Sequence, residues 1–191
     1  MTTVDTHRPS SAIAPALRTL YFARAAFAIV WALLLTLTAT TGAGPGPLGT
    51  ALLLLYPLVD LAAAVVDHRA SRATRPAPAL LVNMALSLLT AIALGFAVSS
   101  GLAAVLVVWG AWAITAGIVQ LIVAVSRRAL GGQWPMILSG GISVLAGAAF
   151  IAQSGTPAAS LTSLAGYATL GGIFFLVSAL RLRHLSKAGK R

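Results

Sequence analysis

Six apolar stretches of about 20 residues, separated by breaks too short to form a domain, dominate this chain. They restrict it to a bundle of membrane-spanning helices, because a hydrocarbon core of about 30 Å takes about 20 helical residues to cross and leaves no backbone partner outside a helix or a closed barrel. The stretches cover about residues 21–41, 48–66, 79–98, 102–125, 134–152 and 158–180. Composition agrees: 59% of residues are hydrophobic and 8% charged, against about half and a quarter in soluble domains. The expected architecture is an all-α membrane protein. Six transmembrane helices occupy 20–181, between an N-terminal segment, 1–19, and a basic tail, 182–191.

The breaks are of two kinds. Gly42-Ala43-Gly44-Pro45-Gly46-Pro47, Ser99-Ser100-Gly101 and Gln153-Ser154-Gly155-Thr156-Pro157 are uncharged turn formers that cannot continue a helix. The other connections hold all the basic charge. Arg8, Arg18 and Arg24 come before or at the start of the first span, and Arg69, Arg72 and Arg75 follow the second. Arg127 and Arg128 follow the fourth, and Arg181, Arg183, Lys187, Lys190 and Arg191 follow the sixth. All 13 lysines and arginines thus fall on one side, and the bias of such residues toward cytoplasmic loops predicts that both termini are cytoplasmic. A cleaved signal peptide is the competing reading of residues 1–44. The apolar run is long for one, and its loss would leave the termini on opposite sides.

A net charge of +10 in a soluble domain would suggest nucleic acid. Here the basic residues flank apolar runs, so anionic lipid headgroups are the expected partner and nucleic acid is not. Cysteine is absent, which removes disulfides, thiolate metal sites and thiol nucleophiles. His7, His68 and His184 lie outside the spans and far apart, no phosphate-binding glycine loop follows a strand, and three acids in all make two-carboxylate hydrolysis implausible. No enzyme, metal or cofactor is expected.

Shifting the chain by 55 residues lays the fourth span on the sixth: Trp112 meets Tyr167, Gly117 meets Gly172, Ile118 meets Ile173, Leu121 meets Leu176, Ala124 meets Ala179 and Arg128 meets Arg183. The third and fifth spans match more loosely. The expected unit is a helical hairpin used three times in tandem, in constant orientation, with the first copy most diverged. Small residues recur at helical spacing in Ser139, Ser143 and Gly147, in Ala113 and Gly117, and in Ala168 and Gly172. Such stripes let helix backbones approach; packing inside the bundle is their first use and a homo-oligomer the second. Trp134 and Tyr21 read as interface anchors, and Trp31, Trp109 and Trp112 as packing residues.

Several of these elements resemble a known family. Trp109-Gly110, Gly117-Ile118-Val119-Gln120-Leu121, Arg127-Arg128, Gly132-Gln133-Trp134, Leu138-Ser139-Gly140, and Leu145 with Gly147 resemble the HdeD-like family of small six-span bacterial membrane proteins built from short repeats. The similarity covers about residues 100–180. The first hairpin departs from it, with Tyr56-Pro57 and Asp60 where later units have small or apolar residues. The resemblance implies an inner-membrane protein linked to acid resistance or stress, with no established enzymatic activity.

Asp60 is the most informative single residue. It lies in mid-span, seven residues before Asp67, and a carboxylate there costs about 3 kcal/mol on insertion scales unless it faces protein or water. One reading is a structural hydrogen bond or ion pair; the other is a protonatable site on a proton or cation path. Arg24 is its natural counter-ion. Asn83 and Gln120 lie at comparable depth and either join these two in one network or make separate interhelical hydrogen bonds. The function that the resemblance implies is a non-catalytic role in acid or envelope stress, in a bacterial cytoplasmic membrane. The alternative is a small transporter or proton-coupled channel using Asp60, and a water-accessible cavity reaching that residue separates the two.

Overall fold

The computed structural model describes residues 10–38, 45–70 and 77–188. Within them the chain is helical, without strands: α1 Ser10–Thr38, α2 Pro47–Ala70, α3 Ala77–Ala97, α4 Leu102–Ser126, α5 Trp134–Gln153 and α6 Leu161–Ala188. Short 3-10 turns at Val98–Ser100 and Arg128–Leu130 link α3 to α4 and α4 toward α5. All six helices are long and apolar enough to cross a membrane. They extend past the hydropathic spans, most of all at the start of α1 and the end of α6, because apolarity marks the membrane-crossing part while arginine and lysine sustain helix beyond it. Pro15 is tolerated near the start of α1, where few intrahelical bonds are lost. Arg8, Arg72, Arg75, Lys190 and Arg191 from the charge pattern, and Gly42, Ala43 and Gly44 from the first turn, lie outside the described residues.

Packing runs in chain order around a closed ring. Each helix packs against the helices before and after it, and α6 returns to pack against α1. Neighbours are antiparallel: Trp31 in α1 bonds Leu52 of α2 nearer the turn end, and Arg24 bonds Asp60 nearer the other. One end of the ring therefore collects Arg18, Arg69, Arg127, Arg128, Arg181 and Arg183 and is called the basic end; the opposite, turn end carries the short uncharged connections. The most extensive interfaces, α4 with α5 and α1 with α6, join helices that a three-hairpin reading assigns to different units.

Glycine explains the α4–α5 seam. A Cβ on Gly147 would lie 2.5 Å from the Gly110 carbonyl oxygen, and one on Gly117 would lie 2.8 Å from that of Gly140. The two backbones therefore touch at two points, two helical turns apart, and no side chain fits there. Of the expected small-residue stripes, Gly117, Gly147 and the fully buried Ala113 serve this seam. Gly172 and the fully buried Ala168 are on α6, where a Cβ on Gly172 would meet Ala25 and Ile29 of α1. Gly110 and Gly140 complete the seam, and Ser143 belongs to it as well, its Cβ 2.9 Å from where a Cβ on Gly117 would lie; Ser143 and Ser139 also line the interior cavity.

Most of the pairs aligned by the 55-residue shift share a burial class, while Trp112 is buried and Tyr167 half-buried. Gly117 and Gly172 are both buried, Ile118 and Ile173 both exposed, Ala124 and Ala179 both buried, and Arg128 and Arg183 both exposed. Equivalent residues do equivalent work, since each glycine lets its helix approach a neighbour. Large apolar residues such as Leu33, Leu37, Phe96 and Leu145 cover the outer surface, as a bundle facing hydrocarbon requires. Trp134 is 73% exposed, as suits an interface anchor. Tyr21 is not an anchor: it is buried against Phe175, with ring centroids 5.7 Å apart.

Candidate functional site

The interior of the ring is packed differently in its two halves. Toward the turn end, Trp31, Leu35, Leu53, Leu94, Val105, Leu106, Trp109 and Leu164 form a dense apolar core with almost no exposed surface. Trp31 and Trp109 stack with centroids 5.4 Å apart, and Tyr56 meets Trp31, Trp109 and Trp112 at 4.6–5.9 Å. This aromatic layer closes the turn-end half. Trp31 also donates its Nε1–H to the Leu52 carbonyl at 2.7 Å, fixing α1 to α2.

Below the aromatic layer, toward the basic end, lies a cavity of about 110 Å³ lined by all six helices. Its polar wall comprises Arg24, Tyr56, Asp60, Asp67, Asn83, Gln120, Ser139, Ser143 and Tyr167. Their convergence follows from the ring: each helix turns one stripe inward, and wherever that stripe holds a small or polar residue the centre stays unfilled.

Asp60 organises the wall. Arg24 donates to its Oδ1, Asn83 Nδ2 donates to Oδ2 at 2.7 Å, and Ser87 Oγ donates to Oδ2 at 2.8 Å. Trp112 extends the chain of bonds by donating its Nε1–H to Ser87 Oγ at 3.3 Å. The carboxylate is thus ion-paired and hydrogen-bonded, which makes a buried charge tolerable. The Arg24 guanidinium is held from its other side by Phe175, whose ring centroid lies 4.4 Å from Cζ.

Of the four polar residues singled out by sequence, Arg24, Asp60 and Asn83 form one hydrogen-bonded cluster. Gln120 lines the same cavity without joining them, since its Nε2 donates to the Met136 carbonyl at 2.9 Å and ties α4 to α5. Ser87 and Trp112 belong to the cluster and were overlooked, because neither a serine nor an indole is unusual in a span. Ser87→Ala removes a donor to Asp60 and the acceptor of Trp112 together. It is expected to cost about 1–2 kcal/mol, read as reduced resistance to unfolding in detergent.

A second ion pair sits about 10 Å along α2 from the first, at 1.5 Å per residue. Arg127, just past α4, donates Nη1–H to Asp67 Oδ2 at 2.7 Å and Nη2–H to Oδ1 at 2.8 Å. The fork geometry is two-pronged and buried, with only 4% and 11% of the two side chains exposed. Tyr21 of α1 also lies close enough to Arg127 to interact with its charge. Burial works to lower the Arg127 pKa, but the hydrogen bond and charge of Asp67 outweigh it and hold the guanidinium above its ordinary range. The sequence points Arg127 toward lipid headgroups and gives Asp67 no role, whereas the structure pairs the two. A two-pronged bond between residues 60 apart leaves no local signature.

Both described acids are therefore paired with arginine, so these four charges sum to zero inside the ring. Among the described residues no three of His, Asp or Glu come together as a metal site. Trp109 Nε1 and Gln133 Oε1 are buried without a hydrogen-bond partner among the described residues. Neither residue lines the cavity, and the structure offers no physical account of them.

Fold and site together define a class: a ring of six apolar helices, compatible with an integral membrane protein, around a polar chamber closed at one end by aromatic side chains. No protein-family model, curated protein or solved structure matches the chain.

Proposed function

We propose that this chain is a non-catalytic, multi-pass protein of the bacterial cytoplasmic membrane with both termini inside, and that it works as a small carrier whose chamber binds a small polar solute at the depth of Asp60. One observation carries this reading: a 110 Å³ cavity with a polar wall contributed by all six helices reaches Asp60. Ionisable groups at membrane depth are costly and collect on solute and proton paths. An all-apolar interior would pack as well as the turn-end half does. The basic residues would hold anionic headgroups on the inner leaflet, setting orientation.

The resemblance to HdeD-like proteins supports a second reading, a structural contribution to acid or envelope stress tolerance. In its favour, Gly110, Gly117, Gly140 and Gly147 from the resembling segments are seam residues of α4 and α5. Those motifs thus speak to the scaffold, while Asp60 and Arg24 lie in the part of the chain that departs from the pattern. Acid survival of a deletion strain, complemented with wild type or Asp60→Asn, separates the readings. Loss of survival rescued equally by both chains favours the scaffold role, and rescue by wild type alone favours the chamber.

Absence of native cysteine makes the chamber directly testable. Ala116→Cys places a thiol on the cavity wall, and Val105→Cys places one in the turn-end core. A charged methanethiosulfonate reagent is expected to modify the first and spare the second. Equal protection of both thiols would show the chamber to be dry and remove the carrier reading.

A further inference from the structure

Resting on the chamber reading, we infer that its solute is a small monocarboxylate of two or three carbons, and that binding is coupled to uptake of one proton through exchange of the Arg24–Asp60 ion pair. Spare hydrogen-bonding capacity identifies the sign of the ligand. Asp60 already accepts from Arg24, Asn83 and Ser87, so little of the carboxylate is left for a cation. Arg24 uses one N–H on Asp60, and a guanidinium has five. Its other N–H groups have no hydrogen-bond partner among the described residues, and its side chain is 23% exposed. The Tyr56 hydroxyl, also on the chamber wall, has no hydrogen-bond partner among the described residues and supplies a second donor. With Phe175 over the guanidinium face, a planar carboxylate approaches along the free edge, the geometry arginine favours for such anions.

Size sets the class. A cavity of about 150 Å³ holds benzene, so 110 Å³ takes an anion of four to about six heavy atoms, such as acetate or lactate.

Charge balance sets the coupling. The titratable or charged groups around Asp60 are Arg24 and Tyr21 from α1, Tyr56 and Asp67 on its own helix, Arg127 beyond α4 and Tyr167 from α6. The two acids and two arginines cancel, so a bound anion alone would leave one net negative charge at membrane depth. When the ligand carboxylate takes over Arg24, Asp60 loses its cation and takes up a proton released by the acid form of the buffer. One anion and one proton enter together, no covalent bond changes, and the interior stays neutral.

The test is calorimetry on the purified full chain with acetate, acetamide and methylammonium, run in buffers of different ionisation enthalpy to count protons. Acetate is expected to bind with uptake of about one proton and to tighten by up to about tenfold per unit fall in pH. The other two compounds should not bind. Asp60→Asn should retain acetate binding with no proton uptake and no pH dependence, and Tyr56→Phe should weaken it severalfold with the fold intact. Acetate binding without proton uptake overturns the coupling. Binding of acetamide or methylammonium in place of acetate overturns the anion assignment and leaves the chamber standing. Failure of all three to bind overturns the inference; whether the chamber reading falls too is decided by labelling of Ala116→Cys.

Discussion

An Arg127→Met variant is expected to lose about 3–5 kcal/mol of stability, the cost of taking the guanidinium away from a buried carboxylate. Asp67 is 8% exposed and its two oxygens are each held by Arg127. With Arg127 gone, the carboxylate sits at the foot of the chamber among α1, α2 and the α4 terminus. Replacing both partners, Arg127→Met with Asp67→Leu, should recover most of the loss, because a matched apolar pair brings no desolvated charge. The measurement is the midpoint of detergent-induced unfolding for both variants and wild type. A single variant as stable as wild type would mean that water reaches Asp67 freely and that the pair does not bind the helix ends together.

The second large effect is steric. Gly147→Val would drive a branched side chain into the Gly110 carbonyl and into Ile114, with the first carbon already 2.5 Å from the oxygen. Both obstacles include backbone, so α5 must move away from α4. Overpacking of this kind costs about 1–3 kcal/mol and at times more. Displacing α5 also shifts Ser139 and Ser143 on the chamber wall. The variant is therefore expected to lose both monodispersity in detergent and the reactivity pattern of Ala116→Cys. Gly141→Ala provides the control on the same helix, as a Cβ there meets nothing within 4 Å. It should behave as wild type. Equal behaviour of the two variants would refute the close seam.

The contrast between these sites shows how far the sequence could be read. Helix number and approximate extent were legible, because a hydropathic run of 20 residues has few alternatives in a bilayer. The Arg24–Asp60 pair and Asn83 were legible because isolated polar residues at one depth must find each other or water. What escaped was azimuth. Ser139 and Gly140 are adjacent in sequence, yet one lines the cavity and the other the α4 seam, a distinction set by which way α5 is rotated in the ring. The same gap hid Tyr21, whose aromatic ring at a span boundary looks like an interface anchor until α6 brings Phe175 against it. Gln120 follows the other reading given to it, a separate interhelical hydrogen bond. Its depth matched the cluster, but its amide points along the α4–α5 seam to Met136.

Because chain order is also ring order, α6 closes the circle against α1. Arg24 and Asp60 already form a neutral couple between α1 and α2 alone. The wall carrying Tyr167 and Phe175 arrives only with α6. All six helices line the chamber, so the site is a property of the whole circle and belongs to no single pair of helices.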